Sequence, residues 1–367
     1  MDSSSPDVVI AGAGIIGASI AWRLAQAGLA VTLVDAGTVG GEASWAGAGM
    51  LAPGGEVETR DAWSDLALES LRLYPDFVAE LESASGILID YRRSGAVDVA
   101  FDEGEWQSLR RRAEAQRPLG IPSICLSAAD VLTRIPLFNR EIAGALFYPE
   151  DAIVDPRDIM RALRTACCVR GVEIREGFRT RRIDGHGDSV EVEGECLTLH
   201  ASVAVLAAGA WSSQIQVSVN GAHESRPQSF PVRGHLVGYQ LEAGSLGPIL
   251  RSGRTYVLQR SGGFTIAGTS SENVGFDRNL DERVIRDITA RAGDLLPYLS
   301  QRSYTTAWNG FRPGIDAPAP EMRRLDGNNI WLAYGHYRNG ILLAPVTANL
   351  ISRQILSSSQ HVGPHQN

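Results

Sequence analysis

Short apolar runs separated by small and polar residues open the chain. Val8-Val9-Ile10-Ala11 is β-branched and apolar, as in a buried strand, and residues 18–27 repeat their apolar positions with helical periodicity. Ala30 to Asp35 form a second apolar run that ends in an acid, and Gly12-Ala13-Gly14-Ile15-Ile16-Gly17 lies between the first run and the helix. This pattern predicts a strand–helix–strand unit with a glycine-rich first turn.

The glycine-rich turn has the spacing of a dinucleotide-binding site, Gly-x-Gly-x-x-Gly followed about 20 residues later by an acid. Gly12 permits the tight turn, Gly14 lets a pyrophosphate approach the backbone, and Gly17 lets the helix pack on the strand. The N-terminus of the helix favours the phosphate charge. Asp35 is placed to bind the ribose hydroxyls and disfavours a 2′-phosphate, so the unit predicts a bound dinucleotide.

Two later segments repeat the order of an apolar strand followed by glycine. Residues 201–207 run into Ala208-Gly209-Ala210-Trp211, and Ile330 to Ala333 lead into Gly335-His336-Tyr337-Arg338-Asn339-Gly340. Each is expected to add a strand to the first sheet and to run close to the bound dinucleotide. Glycines let a backbone approach a ligand closely, and the planar arginine fork of Arg338 suits a carboxylate or a phosphate.

Alternating strands between these segments predict a second, antiparallel sheet. They are His235–Leu241, Thr255–Gln259 and Gly263–Ile266, and a helix from Asp281 to Leu296 follows them. The predicted fold class is therefore α/β with two domains. One is Rossmann-like and carries the βαβ unit, and the other is an inserted domain with an antiparallel sheet.

Composition and charge exclude several classes of function. The 367 residues are 44% hydrophobic and 21% charged, as in ordinary globular proteins, and the net charge of −8 argues against a nucleic-acid-binding surface. The chain contains no lysine. This excludes a Schiff-base lysine, hence a standard pyridoxal-phosphate enzyme, and it excludes a P-loop.

The cysteines and the termini indicate a reduced, cytoplasmic protein. The four cysteines form no C-x-x-C pair, and Cys167-Cys168 lies in a helix-like stretch where two buried thiols are expected. The N-terminus lacks a secretory signal, and no apolar run reaches the length of about 18 residues that a membrane span needs. No histidines have metal-ligand spacing. Arg110-Arg111-Arg112 is expected on a solvated helix face, and residues 357–367 are expected to form a disordered polar tail.

Three motifs together resemble a known enzyme family. They are residues 43–51, Ala-Ser-Trp-Ala-Gly-Ala-Gly-Met-Leu; residues 308–314, Trp-Asn-Gly-Phe-Arg-Pro-Gly; and residues 335–345, Gly-His-Tyr-Arg-Asn-Gly-Ile-Leu-Leu-Ala-Pro. They resemble the FAD-dependent amino-acid oxidases of the D-amino-acid oxidase superfamily, most closely the glycine oxidases of thiamine biosynthesis. The resemblance implies that residues 1–84, 150–217 and 308–362 form a discontinuous FAD-binding domain. Residues 85–149 and 218–307 would form the substrate-binding domain, with a tail at 363–367.

The resemblance also implies roles for individual residues. Arg312, Tyr256 and Arg338 would act at the substrate, with Arg312 holding its carboxylate and Met50 beside it. Asp35 would bind the ribose, Thr180 would touch the adenine side through its backbone, and His336 to Leu342 would wrap the edge of the flavin ring. The residues expected to bind FAD non-covalently are Gly12, Gly14, Ile15, Ile16, Gly17, Asp35, Ala36, Ala43, Ser44, Ala48, Gly49, Met50, Thr180, Ala208, Gly209, Trp211, Gly310, His336, Tyr337, Arg338, Asn339, Gly340, Ile341 and Leu342.

The activity implied by the resemblance is the oxidative deamination of glycine or a related small amino acid. Hydride would pass from the substrate Cα to flavin N5, O2 would be reduced to hydrogen peroxide, and the imine would hydrolyse to glyoxylate and ammonia. The family also implies a homo-oligomer, commonly a tetramer. Gly268-Thr269-Ser270-Ser271 is expected to line the substrate pocket, where small polar residues would admit substrates larger than glycine.

Alternatives remain within and outside this family. The substrate could be sarcosine, D-proline or a larger D-amino acid, although the covalent flavin tether of sarcosine oxidases has no cysteine candidate after Cys196 and their lysine is absent. A dehydrogenase that passes electrons to a quinone or a carrier is a second possibility. A third possibility is a flavoprotein that binds FAD without turnover, but such a protein would not need arginines that bind a carboxylate.

Overall fold

A computed structural model describes residues 5–359 of the chain, and within them it contains eight α-helices and 22 strands. The helices are α1 (Ile15–Gln26), α2 (Ala43–Ala46), α3 (Ala62–Ser85), α4 (Glu103–Gln116), α5 (Ala128–Arg134), α6 (Pro156–Val169), α7 (Glu282–Leu295) and α8 (Gly340–Ser359). Short 3-10 helices cover Pro53–Gly55, Arg117–Leu119, Gly209–Gln214, Pro297–Gln301 and Tyr337–Asn339.

The first sheet has six strands. They are β1 (Val8–Ala11), β2 (Val31–Asp35), β9 (Glu173–Glu176), β13 (Val203–Leu206), β21 (Glu321–Arg324) and β22 (Ile330–Tyr334), in the order β21-β22-β13-β1-β2-β9. β1 lies in the middle and pairs in parallel with both β2 and β13. The predicted strand–helix–strand unit thus forms the centre of this sheet.

The two faces of β1 belong to different cores. Val8 and Ile10 pack into the large cluster formed with α1, α3, α6 and α8. Val9 and Ala11 point the other way, into a cluster with the strands of a second sheet. Successive side chains of a strand point to opposite faces of the sheet. Because both faces of this parallel sheet are covered, every residue of β1 has to be apolar.

Two smaller sheets surround the first. The five-stranded sheet has the order β12-β11-β10-β14-β15 and the three-stranded sheet the order β3-β8-β4. Their strands are β3 (Met50–Leu51), β4 (Tyr91–Arg92), β8 (Ala152–Val154), β10 (Arg182–His186), β11 (Ser189–Glu193), β12 (Thr198–Ala201), β14 (Gln216–Val219) and β15 (Ala222–His223). The strand predicted over 201–207 is β13 (Val203–Leu206) of the first sheet, whereas Ala201 ends β12 of the five-stranded sheet.

The last sheet has eight strands in the order β20-β16-β19-β18-β17-β5-β7-β6. They are β5 (Ala96–Ala100), β6 (Ile124–Leu126), β7 (Gly144–Tyr148), β16 (Ser229–Gln240), β17 (Ile249–Ser252), β18 (Thr255–Gln259), β19 (Phe264–Gly268) and β20 (Thr306–Ile315). One face packs on α7 through Val237 and Val257, and the other carries Leu236 and Tyr256 towards the residues around Ala48. This sheet contains the predicted antiparallel strands, and the predicted α/β fold class is confirmed.

The sheets divide the chain at slightly different points from the predicted domain boundaries. The boundary at residue 308 falls inside β20, which pairs along its length with β16 of the eight-stranded sheet. Residues 218–223, assigned by prediction to the substrate domain, pair instead within the five-stranded sheet. Both boundaries were implied by the family resemblance, whereas strand pairing in this chain follows contacts between distant segments.

Three local predictions were wrong. Cys167 is buried but its neighbour Cys168 is exposed, since adjacent helical residues point about 100° apart. Arg112 turns inward and binds Asp98 and the Tyr148 hydroxyl, unlike a solvated side chain. Residues 357–359, predicted as the start of a tail, belong to α8, while 360–367 lie outside the described residues. Among the described helices, none is both long and apolar enough to cross a membrane.

Candidate active site

A large cavity runs between the first sheet and the eight-stranded sheet. Its volume is about 1200 Å³, above the range of roughly 300–1,000 Å³ that holds most small ligands. Its wall begins at Gly12, after β1, and continues through the small-residue segment 40–50 to Arg312 on β20 and to residues 333–341. The cavity therefore has room for an extended cofactor and a small second molecule.

At one end, the turn after β1 lies against the end of β13. Gly12 has φ of +110°, and a Cβ there would overlap the backbone carbonyl of Ala207. A Cβ on Gly17 would likewise overlap the carbonyl of Gly12, so Gly17 lets α1 pack against the turn. Both glycines are required by close backbone contacts, as their place in the motif predicts.

The acid at the end of β2 organises the same end of the cavity. Asp35 Oδ2 accepts a hydrogen bond from the Ala13 amide at 2.7 Å, and Oδ1 accepts one from the Gly37 amide at 2.7 Å. Burial raises the pKa of Asp35 above its usual value, while the two amides oppose that rise. Nearby, the Ile15 amide in the first turn of α1 donates to Ser44 Oγ at 2.9 Å. Helix N-terminus, carboxylate and Cβ-free turn together fit the ribose and pyrophosphate of a dinucleotide such as FAD.

The middle of the cavity wall is made of backbone. Gly49 has φ of +83°, and a Cβ on it would overlap the Val154 carbonyl at the end of β8. The buried Arg260 side chain holds this segment by donating to the carbonyls of Ala48 and Val154. Arg260 was missed by the sequence interpretation, because only the packing shows that its guanidinium reaches across from the other sheet.

At the other end lies Arg312, on β20. Its Nη1 donates to the Ser270 carbonyl at 3.0 Å and its Nη2 to Thr269 Oγ1 at 2.8 Å. The guanidinium lies against Gly234 on the neighbouring strand, where a Cβ would overlap it. Among residues 5–359, no carboxylate lies within 4.0 Å of this guanidinium. A cation that faces a cavity with neutral partners is suited to bind an anion from outside the chain.

Tyr256 lies near Arg312, on β18. The side chain is buried, and burial raises its pKa to about 12 although the positive charges of Arg312 and Arg260 oppose this rise. The hydroxyl therefore keeps its proton at neutral pH. Tyr256 can lie opposite Gly268 because glycine has no Cβ, which would otherwise overlap the Tyr256 hydroxyl. The cavity thus has a neutral hydrogen-bonding group on the same wall as the guanidinium.

Residues 335–341 cross the cavity between its two ends. Arg338 Nε lies 3.3 Å from Glu56 Oε2, its side chain is 56% exposed, and Asn339 Nδ2 donates to the same Glu56 oxygen at 3.2 Å. His336 is buried, contacts Thr347 Oγ1 through Nε2 at 3.0 Å, and its pKa is lowered by burial to about 3. Arg338 is therefore partly engaged by Glu56, a partner that sequence reasoning missed, while Arg312 is free of acids.

An aromatic group closes the wall beside Arg312. Trp211 stacks on Phe276 with ring centroids 4.9 Å apart, and Phe311 packs on the edge of both rings. Arg278 lies over Trp211 and Phe311 and forms two hydrogen bonds with Glu42, at 2.7 and 3.0 Å. These contacts join the loop before α7 to the segment that precedes α2. Only Trp211 of this group was singled out from the sequence.

The structure brings nearly all of the predicted site residues to this one cavity. Those that line it include Arg312, Tyr256, Arg338 and Met50, and the predicted cofactor positions Gly12, Gly14, Ile15, Ile16, Asp35, Ala36, Ala43, Ser44, Ala48, Gly49, Thr180, Ala208, Gly209, Trp211, Gly310, His336, Tyr337, Asn339, Gly340 and Ile341. Thr269, Ser270 and Ser271 line it as well.

Two predicted cofactor residues lie outside the cavity wall. Gly17 is inside α1, where it serves packing. Leu342 is 2% exposed and faces the core, and its carbonyl accepts a hydrogen bond from Ser70 Oγ at 2.6 Å. None of the four cysteines lines the cavity, so a cysteine-tethered flavin has no candidate among the described residues.

Comparisons with known proteins agree with the chemistry of the cavity. A family model described as FAD dependent oxidoreductase matches residues 7–354. The glycine oxidase of Bacillus subtilis is 30% identical over 96% of this chain and 93% of its own length. The bifunctional protein ThiO/ThiG of Synechocystis is 32% identical over 98% of this chain, which corresponds to 53% of that longer protein. The crystal structure of glycine oxidase from Geobacillus kaustophilus, 29% identical, superposes with a TM-score of 0.90 and covers 96% of this chain and 95% of its own.

Proposed function

Because this chain belongs to the family of FAD-dependent oxidoreductases, we infer that it is an FAD-dependent amino-acid oxidase and that its substrate is glycine. The enzyme converts glycine, oxygen and water to glyoxylate, ammonia and hydrogen peroxide. Its glycine oxidase relatives indicate the substrate, and the cavity supplies an independent physical reason for a substrate that carries a carboxylate.

The observation that carries this proposal is the environment of Arg312. A buried carboxylate needs a paired and hydrogen-bonded partner, otherwise its desolvation makes binding unfavourable. Arg312 offers that partner in the same cavity as the dinucleotide end, with two donors already directed by Thr269 and Ser270. An amino acid bound through its carboxylate is thereby held at the flavin end of the cofactor, where its Cα–H can be oriented.

The other residues of this end bind and orient the substrate. The protonated hydroxyl of Tyr256 donates a hydrogen bond to an oxygen of the bound substrate. This second contact fixes the orientation of the carboxylate. We propose that the amine binds in its neutral form, because loss of hydride from Cα is assisted by the nitrogen lone pair. Bound FAD supplies the hydride acceptor.

We further propose that O2 is the electron acceptor, that the enzyme is a homotetramer and that it works in the cytoplasm. The family resemblance supports the first two, and a chain with no C-x-x-C pair and with free thiols at Cys125, Cys168 and Cys196 supports the third. The likeness to ThiO/ThiG supports a role in supplying the glycine imine for the thiazole of thiamine. Growth without thiamine, restored by this gene in a strain that lacks its own glycine oxidase, tests that role.

Peroxide release in air tests acceptor and substrate together. The purified holoenzyme is assayed with glycine, sarcosine, D-alanine and D-proline, and kcat/KM is compared. We expect glycine or sarcosine to be preferred, with one peroxide formed for each glyoxylate. A large preference for D-proline or a bulky D-amino acid would show that the substrate assignment is wrong. Turnover with an artificial dye but no peroxide in air would identify a dehydrogenase.

A further inference from the structure

The partners of Arg312 are tied to a polar network of His235, Glu272 and Arg233, side chains that do not line the cavity. The guanidinium is held by the Ser270 carbonyl at 3.0 Å and by Thr269 Oγ1 at 2.8 Å. An arginine has five N–H donors in a fixed plane, so two occupied donors set the direction in which the remaining donors point. The orientation of the substrate-binding fork therefore depends on what fixes Thr269 and Ser270.

Ser270 is fixed by hydrogen bonds on both sides of its hydroxyl. Its Oγ accepts from the His235 amide at 2.8 Å and donates to Glu272 Oε1 at 2.6 Å. Thr269 is held as well, since its hydroxyl donates to the His235 carbonyl at 3.0 Å and its own carbonyl accepts from Arg291 at 3.1 Å. The two residues behind Arg312 are thus tied to β16 and to α7.

His235 is fully buried, and each of its ring nitrogens has a hydrogen-bond partner. Nδ1 lies 2.8 Å from Glu272 Oε1, which can only accept, and Nε2 accepts from the Asp281 amide at 3.2 Å. These partners define the neutral ring with its proton on Nδ1. Because the Asp281 side chain also caps α7, the histidine joins the start of that helix to Ser270 through Glu272.

The remaining oxygen of Glu272 is occupied by Arg233. The Arg233 guanidinium donates to Glu272 Oε2 at 2.7 Å and to Asp277 Oδ2 at 2.7 Å, and its side chain is 5% exposed. Glu272 therefore accepts from Ser270, His235 and Arg233, and it does not line the cavity. A carboxylate bound in this way serves to hold other groups in place.

We propose that Glu272 and His235 are positioning residues for the substrate carboxylate. Through Ser270 they fix the Thr269–Ser270 segment, and that segment fixes the direction of the Arg312 fork. This inference rests on the proposed role of Arg312 in binding the carboxylate. It requires that loss of the network weakens the binding of carboxylates while the flavin end of the cavity is unaffected.

The test uses holoenzyme and glycolate, which has the carboxylate of glycine and no amine. Glycolate binding is followed by the change in flavin absorbance for the wild type, E272Q, S270A, R312A and the double variant E272Q/R312A. Loss of one charge-assisted hydrogen bond makes an effect of about tenfold the expected scale. We expect E272Q to raise the glycolate Kd and the glycine KM by about tenfold, with kcat changed by less than about threefold. S270A should act in the same direction by about threefold.

The double variant separates a positioning role from general damage. If Glu272 acts through Arg312, E272Q adds no further loss of glycolate binding in the R312A background. Equal losses in both backgrounds, or an unchanged glycolate Kd in E272Q, would overturn the inference. Should E272Q fail to give folded holoenzyme, S270A in both backgrounds decides by the same criterion. An R312A enzyme that binds glycolate normally would instead refute the proposed role of Arg312, and the inference with it.

E321Q is the matched control. Glu321 also pairs with an arginine at 2.7 Å, its side chain is 13% exposed against 18% for Glu272, and it does not line the cavity. E321Q should leave the glycolate Kd and the glycine KM unchanged. A loss of glycolate binding in E321Q equal to that in E272Q would show that any buried ion pair matters equally, which contradicts the proposal.

Discussion

The two ends of the cavity are built in different ways. The nucleotide end consists of backbone and very small residues, and its central pieces, Gly12 to Asp35, come from one continuous stretch. The substrate end consists of the side chains of Tyr256 and Arg312, which lie on separate strands of another sheet and face each other only because of how the strands pair. A cofactor common to many enzymes is bound by a local backbone motif, whereas the specific substrate is bound by side chains that long-range pairing brings together.

The difference implies that each end can be damaged without the other. Removing a side chain at the substrate end should change binding of the amino acid and leave the flavin in place. Adding a side chain to the Cβ-free turn at the nucleotide end should release the flavin. The four predictions that follow test this independence.

The largest expected effect is that of R312A. Removing the partner of a buried carboxylate costs about 2–5 kcal/mol, so the glycine KM should rise on the order of a thousandfold. The flavin content, read from the ratio of absorbance at 450 and 280 nm, should equal that of the wild type. R323A is the control, because it also removes an arginine side chain, but Arg323 lies outside the cavity wall. An R312A enzyme with normal KM would contradict the assignment of the substrate end.

G12A should release the flavin. Gly12 has φ of +110° and a Cβ would overlap the Ala207 carbonyl, so strain of roughly 3 kcal/mol should weaken FAD binding about a hundredfold. The measurement is FAD titration of the apoprotein by quenching of flavin fluorescence. G28A is the control, because Gly28 also has a left-handed φ, +92°, but has nothing within 4 Å of a Cβ. Equal losses in both variants would mean that backbone strain, and not the contact with β13, explains the effect.

G234A should act at the substrate end alone. The added Cβ overlaps the tip of the Arg312 side chain, which moves more easily than a strand, so the guanidinium should be displaced. We expect the glycine KM to rise about thirtyfold, a loss of about 2 kcal/mol, with FAD affinity and melting temperature close to those of the wild type. G262A, at a position with open space around a Cβ, should change none of these. Loss of FAD from G234A would show that the two ends are coupled.

The smallest expected effect concerns His336, in the segment 335–341 that lines the cavity. Burial lowers the pKa of His336 from 6.5 to about 3, so protonation favours the unfolded chain. Its contribution to stability is complete above pH 6.5 and is lost as the pH falls towards 3. Between pH 7 and 5 the loss amounts to about 2 kcal/mol in the free energy of unfolding, measured with urea. H336N keeps a polar partner for Thr347 without titrating, so its stability should fall less over that range. Equal slopes for both proteins would argue against a buried neutral His336.

The nucleotide end was accessible to sequence reasoning, and much of the substrate end was not. Gly12, Gly17 and Asp35 are local signals, and the structure gives the two glycines the close backbone contacts that the motif predicts. The contact of Asp35 with a ribose stays a prediction. Arg312 and Tyr256 were identified by resemblance to a family, not by their spacing. Gly234 and Glu56 had no signal, because their importance arises from strand register and from a contact between segments far apart in the chain. The predictions for Arg112 and Cys168 were wrong for a related reason. A run of like residues does not reveal which of them lies on the buried face of a helix.

The order of strands in the first sheet has a consequence for synthesis of the protein. β1 pairs with β2, which follows it closely, and with β13, which follows it by almost 200 residues. During synthesis β1 therefore has one unpaired apolar edge until β13 has emerged from the ribosome, and long-range parallel pairing is slow. The cavity is lined by residues as far apart as Gly12 and Ile341, so it can accept its cofactor only after Ile341 has emerged. We expect the segment with the most recognisable motif to depend most on chaperone protection while the chain up to β13 is being synthesised.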